Sequence, residues 1–240
     1  MDVLWFLQQR TDFIRFYYDT SAYPWLEIHR KIECKEPPFN DPPYDESGEP
    51  PFLIEYGQAV DGLTILGRSC VSMLASSMQL YFKAWESELG IKLDKKHRNK
   101  LFREGILKGY RSMFEEFTQV PWSGAPSNLE ILEQVTLARN DDQHSGHITT
   151  VHAEHGEHRA RFGERLLFVS DTDRKMWQHD PETLGNVFFG THVIVERDAL
   201  FTAIRELETL AQWLEPQLIR VRWGEVGVAA WERERRDGLH

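Results

Sequence analysis

Leu129-Glu130-Ile131-Leu132-Glu133-Gln134-Val135-Thr136-Leu137-Ala138-Arg139-Asn140-Asp141-Asp142-Gln143-His144 is followed directly by Ser145-Gly146. Leu129, Leu132, Val135 and Thr136 recur at helical spacing, Ser127 or Asn128 offers an N-cap oxygen, and Glu130 falls in the first turn. The stretch therefore predicts a helix. Carrying its apolar face three or four residues past Val135 and Thr136 reaches Arg139, a cation on or beside the buried stripe that needs a partner or a role there. On an ideal helix His144 is about 140° round from Arg139, whereas Asn140 is one turn below His144 on the same face. Arg139 and His144 can therefore serve one group only if the helix ends between them or if two chains supply them jointly. Ser145-Gly146 is suited to end a helix at His144.

Outward from this stretch the chain reads as mainly α. Leu63, Leu66, Cys70, Met73, Leu74, Ser77, Leu80 and Tyr81 lie on one face of a long helix predicted over 53 to 88, with Gly90 as its stop, and form one wall of a bundle. Asp94 caps a helix predicted to run to about Phe117, with Phe102, Ile106, Tyr110, Met113, Phe114 and Phe117 as its apolar side. Between 91 and 111 this stretch sets Lys92, Lys95, Lys96, Arg98, Lys100, Arg103, Lys108 and Arg111 against Asp94 and Glu104. It is either a solvated face or the wall of a phosphate-binding groove. Residues 120 to 127 are a turn-rich connection. A last helix is predicted from about Arg197 to Leu214, with Leu200, Ile204, Leu207, Leu210 and Leu214 inward, and residues 231 to 236 read as a frayed tail. At the other end, residues 2 to 18 predict one helix and Pro24 to Ile32 a second. From Pro37 to Pro51, six of the chain's eleven prolines exclude helix and central strand and predict an ordered loop.

After His144 come His147, His152, His155 and His158. His152-x2-His155-x2-His158 brings imidazoles to a spacing that zinc could use, but no cysteine ligand is near, and the intervening Ala, Glu and Gly suit a mobile exposed loop bordering a site. Leu166-Leu167-Phe168-Val169 and Val187 to Val195 are β-branched or aromatic runs separated by Asp171-Thr172-Asp173 and Pro181-Glu182, which predicts a small β-hairpin.

With 240 residues the chain can bury a sizeable core, and a single domain is expected. Hydrophobic residues at 41% and charged residues at 28% are ordinary for a globular protein. The net charge of −10 argues against a protein that coats polyanions by long-range attraction, though not against a local basic site. Cys34 and Cys70 read as reduced packing residues in a cytosolic protein. The N-terminus has no basic start, and nowhere do about eighteen apolar residues follow one another, so neither secretion nor membrane insertion is expected.

Arg139-Asn140-Asp141-Asp142-Gln143-His144 resembles the motif of the HEPN superfamily: Arg, a polar residue that is often Asn, about three further residues, then His. The resemblance implies a HEPN-like antiparallel helical bundle whose core is residues 51–145 and 197–216, with the His-rich loop and β-hairpin as an insertion at 146–196. Residues 1–50 stand outside it as N-terminal helices and a Pro-rich loop. It also implies metal-independent RNA cleavage, in which the ribose 2′-OH attacks the adjacent phosphate, and needs neither cofactor nor metal. An imidazole such as His144 can move protons at neutral pH, the Arg139 fork can stabilise a phosphorane, and Asn140 can orient phosphate or histidine. Lys96, Lys100, Arg103 and His147 are the expected RNA contacts. One histidine does not easily serve as base and acid together, so a homodimer contributing two motifs is expected, as is typical of HEPN proteins. The role could lie in a toxin or defence system, with an inhibitor protein as partner, or in RNA processing. Some HEPN toxins carry a modified Tyr two residues after the His. Gly146 stands there in this chain, so that regulation is not expected. Two other readings compete: a non-catalytic helical dimer acting as a binding or regulatory module, and a metal-dependent hydrolase built on the histidine loop.

Overall fold

A computed structural model of the chain describes residues 2–42, 48–144, 151–156, 159–179 and 191–236, the side chains of residues 144, 159, 160 and 178 excepted. The described residues are mainly helical and bundle-like: α1 (Val3–Glu33), α2 (Leu53–Glu88), α3 (Lys95–Leu101), α4 (Ile106–Thr118), α5 (Leu129–His144), α6 (Arg159–Phe162), α7 (Asp171–His179) and α8 (Arg197–Arg236). None of these helices is long and apolar enough to cross a membrane. The chain divides into two compact units, one made of Met1–Phe13, Ser72–Leu137 and Phe201–His240, the other of Ile14–Val71 and Ala138–Leu200. The described residues of the 146–196 stretch, 151–156, 159–179 and 191–196, fall in the same unit as 14–71.

In the first unit a buried carboxylate ties three helices. Glu215 on α8 is 1% exposed. It accepts hydrogen bonds from the Leu4 backbone N–H at the start of α1 (3.1 Å) and from the Tyr81 hydroxyl and Trp85 indole of α2 (2.8 Å each). The first N–H groups of a helix have no partner within it, and a carboxylate there also meets the positive end of the helix dipole. Around it, Phe82 packs on Tyr110 and Trp122, and Phe114 stacks on Trp122. All four are buried, each worth very roughly 1.5–3 kcal/mol of transfer free energy. The inward face of α2 is wider than the predicted stripe, adding Val71, Ala75, Met78, Phe82 and Trp85, while Leu80 is exposed. Gly90 ends α2 with φ 66°, and the Gly90 and Ile91 N–H groups return to the Ser87 and Glu86 carbonyls.

The predicted helix from Asp94 to Phe117 is two. Asp94 does cap it, accepting from the His97 N–H at 2.8 Å, but the backbone turns at Gly105 with φ 111°. That turn folds the Phe102 ring so closely against Gly109 that a Cβ there would meet it at 2.4 Å. α8 runs well past Leu214, through Pro216 and across a break at Gly224 (φ 68°, ψ −168°), so the expected frayed tail is helical to Arg236.

In the second unit α1 continues through Pro24, where the sequence predicts two helices. Proline removes one helical hydrogen bond, but the chain on either side is held by burial of Ala22 and by the Trp25 ring lying on Gly62 of α2. Gly67 likewise admits a close neighbour, since a Cβ there would lie 2.5 Å from the Val195 carbonyl oxygen. Cys70 is buried, its thiol pushed up to about 12 by burial, whereas Cys34 is exposed and is not a packing residue.

The β-hairpin is not found among the described residues. Leu166, Phe168 and Val169 are buried, but Asp171-Thr172-Asp173 begins α7 instead of turning between strands. Ser170 caps that helix: its hydroxyl accepts from the Asp173 N–H (3.0 Å) and donates to the Asp173 carboxylate (2.9 Å). Residues 191–193 bridge 153–155 through the His155 N–H to Thr191 carbonyl and Val193 N–H to Ala153 carbonyl bonds. Val187 to Gly190 lie outside the described residues.

Burial pushes the Glu215 carboxyl from its ordinary 4.5 up to about 7, against its three hydrogen bonds, which hold it down. The folded chain then keeps a proton that the unfolded chain releases, so the contribution is present below pH 4.5 and is lost as pH rises through about 7, on the order of 3 kcal/mol. Urea unfolding of wild type should show stability falling between pH 5 and 8, and Glu215→Gln should flatten that slope.

Candidate active site

The last two turns of α5 carry the motif, and their register is set by which side chains face inward. Ala138 is buried, Asp141 and Asp142 are half-buried and paired, and Asn140 and Gln143 are exposed. With the inward direction fixed by 138, 141 and 142, helical geometry places positions 139, 143, 140 and 144 in that order across an arc of about 140° on the outer side. Arg139 is half-buried at one edge of this arc, beside the stripe of Leu132, Val135 and Ala138, as its spacing predicts. Buried Gln134 joins that stripe, where the sequence placed Thr136. At the start of the helix Asn128 is the cap, its side-chain oxygen accepting from the Glu130 N–H, because the Ser127 hydroxyl donates instead to the Glu206 carbonyl.

The Arg139 guanidinium reaches the Asn140 side-chain oxygen at 3.4 Å and is in no ion pair among the described residues. α5 remains helical through His144, so the helix does not end between Arg139 and His144 within one chain. The side chain of His144 and the whole of His147 and His158 lie outside the described residues.

Lys96, Lys100 and Arg103 are exposed, with no ion pair among the described residues, and belong to the first unit; Arg139 and Asn140 belong to the second. Three other cations of the basic stretch are engaged locally: Arg98 with Glu86 (2.5 Å), Lys108 with Glu104 and Glu133 (3.7 Å each), and Arg111 with Glu115 (3.1 Å). The surface charge there is smaller than the sequence count implies.

The inward side of the same turn holds a polar cluster that pattern reading missed. Arg68 of α2, 8% exposed, ion-pairs with Asp142 at 3.1 Å and donates a hydrogen bond to the Val151 carbonyl. Asp141 faces His155 Nδ1 at 3.6 Å, and His155 Nε2–H donates to the Phe168 carbonyl at 2.8 Å; a carbonyl only accepts, which fixes that tautomer. Asp61 lies 3.7 Å from His152, whose ring is 4.9 Å from that of His192. The sequence did carry a signal for Arg68: it is the lone charged residue between Asp61 and Lys83. A single charge in so long an apolar helix needs a buried partner.

His155 is therefore buried, not on an exposed loop. It and His152 face different partners, and no three His, Cys, Asp or Glu side chains among the described residues are arranged to hold a metal ion. The second unit also contains a cavity of about 750 Å³ lined by Tyr18, Ala22, Leu26, Leu63 and Ile194 among others; it is mostly apolar and takes no residue from α5. The chain matches no protein-family model, no curated protein and no solved structure.

His155→Ala removes a buried side chain with its donor to the Phe168 carbonyl and its ring facing Asp141, so urea unfolding should show a loss of roughly 2–3 kcal/mol. His152→Ala, at a half-exposed pair, should cost under about 1 kcal/mol in the same assay.

Proposed function

We propose that this chain is a metal-independent endoribonuclease with a HEPN-like bundle fold, cleaving RNA by 2′-OH attack at a site made by Arg139, Asn140 and His144. The observation that carries the reading is the division of charge at the end of α5. Asp141 and Asp142, which would repel a phosphate and neutralise Arg139, are instead turned toward His155 and Arg68. Arg139, beside Asn140, is in no ion pair among the described residues and keeps its fork for an anion.

In this mechanism Arg139 holds the non-bridging oxygens as negative charge grows on the phosphorane, Asn140 orients the phosphate, and the two His144 imidazoles of a dimer divide the proton transfers, one taking the 2′-OH proton as base and the other protonating the leaving 5′-oxygen as acid. Because α5 stays helical to His144, positions 139 and 144 diverge within one chain, and a two-fold homodimer supplies Arg139 and His144 from opposite partners. Lys96, Lys100 and Arg103, exposed on the first unit, are the proposed RNA contacts there. Products carry 2′,3′-cyclic phosphate and 5′-hydroxyl ends, and DNA, lacking the 2′-OH, is inert. A role in a toxin or defence system, held in check by an inhibitor protein, fits such an activity. The pairing of Arg98, Lys108 and Arg111 with acids of the chain favours the second reading, a non-catalytic helical dimer.

Wild type incubated with mixed cellular RNA in EDTA should yield fragments ending in cyclic phosphate, and His144→Ala and Arg139→Ala should each slow cleavage about 100-fold or more. A folded wild type that leaves every RNA intact would put the non-catalytic dimer in its place.

A further inference from the structure

Two carboxylates in the final turn of a helix are locally unfavourable. The C-terminal end of the helix dipole is negative, and the last four carbonyls have no partner within the helix, so such a turn tends to fray. α5 nevertheless ends in Asp141, Asp142 and two further residues, and it does so helically. What answers the acids comes from elsewhere in the second unit. Arg68 sits on α2 at the position seven residues after Asp61, so both project from one face toward the segment that follows α5. One terminal nitrogen of Arg68 binds Asp142 and the other binds the Val151 carbonyl, so a single planar group holds the chain at two points nine residues apart. Asp61 with His152 and Asp141 with His155 secure the same segment on either side.

We infer that Arg68 is a positioning residue for the proposed cleavage: by gripping Asp142 and the Val151 carbonyl it fixes the last turn of α5, and with it the register of Arg139, Asn140 and position 144. The inference rests on the ribonuclease reading. Arg68 touches no substrate; it is buried on the opposite side of the turn from the motif. Its part is to keep the turn helical and oriented, which the sequence of the turn does not do for itself. A lysine would keep a charge beside Asp142 but would lack the rigid fork that engages two acceptors in one plane.

The test is the full-length chain as Arg68→Lys, Arg68→Met and the double variant Arg68→Met with Asp142→Leu, compared with wild type by thermal unfolding, cleavage kinetics and amide hydrogen exchange. An apolar pair of similar volume can replace a buried ion pair at little cost, so the double variant is the one that keeps its fold. The expected result is a double variant melting within a few degrees of wild type, with kcat lowered about 100-fold, KM within about threefold, and exchange of amides 140–144 raised about tenfold. Arg68→Lys should recover part of kcat. An equal kcat in wild type and a folded double variant, or a change confined to KM, would overturn the positioning role. If wild type cleaves no RNA, the ribonuclease reading fails, and exchange still judges the grip itself: unchanged protection of 140–144 in the double variant would sink it.

Discussion

A guanidinium taken out of water has to be met by oxygen atoms, and the second unit is arranged around meeting one. Arg68 is answered by Asp142 and by the carbonyl of Val151. Because Asp142 turns inward to do this, Asp141 follows toward His155, and His155 carries the connection on to the Phe168 carbonyl. Phe168 in turn accepts from the Ile194 N–H, beside the bridge between 154 and 192. Segments with little regular structure are thus held by side-chain and backbone polar bonds rather than by a sheet. The outer side of the α5 turn is left to Arg139, Asn140 and Gln143.

The long helices were legible because their apolar periodicity is strong and their ends carry specific chemistry, Gly90 closing α2 and Asp94 opening α3. Connections and interruptions were less so. Gly105 breaks a stretch whose apolar pattern continues unbroken, and Pro24 fails to break one because packing of Trp25 on Gly62 outweighs one lost hydrogen bond. The runs at 166–169 and 191–195 do supply core residues. Apolar content alone does not distinguish a strand from a buried irregular segment, and the Ser170 hydroxyl, accepting from the Asp173 N–H, starts a helix where the sequence suggested a turn. Arg139 and Asn140 fall where helical spacing puts them. Their supports do not follow from local pattern, since Arg68 and Val151 are 83 residues apart and only the folded chain brings them together.

The two units treat inward-turned carboxylates in opposite ways. Asp141 and Asp142 are met by groups that are or can be cationic, and stay at a helix end where their charge is locally unwelcome. Among the described residues Glu215 is met by neutral donors, a backbone amide, a phenol and an indole, in a setting with a single percent of exposure. A carboxyl so placed is a better hydrogen-bonding hub than an ion, and burial raises its proton affinity accordingly.

Glu215 also orders events during synthesis. Its partner at the start of α1, Leu4, is 211 residues away. At usual elongation rates the N-terminal turn leaves the ribosome roughly 10 to 40 s before the residue that caps it exists. Val3, Leu4 and Leu7, all buried in the finished unit, spend that interval without their C-terminal partners. The first unit therefore cannot close before Glu215 has been made, and the nascent chain's exposure to chaperones or to aggregation is decided in the meantime.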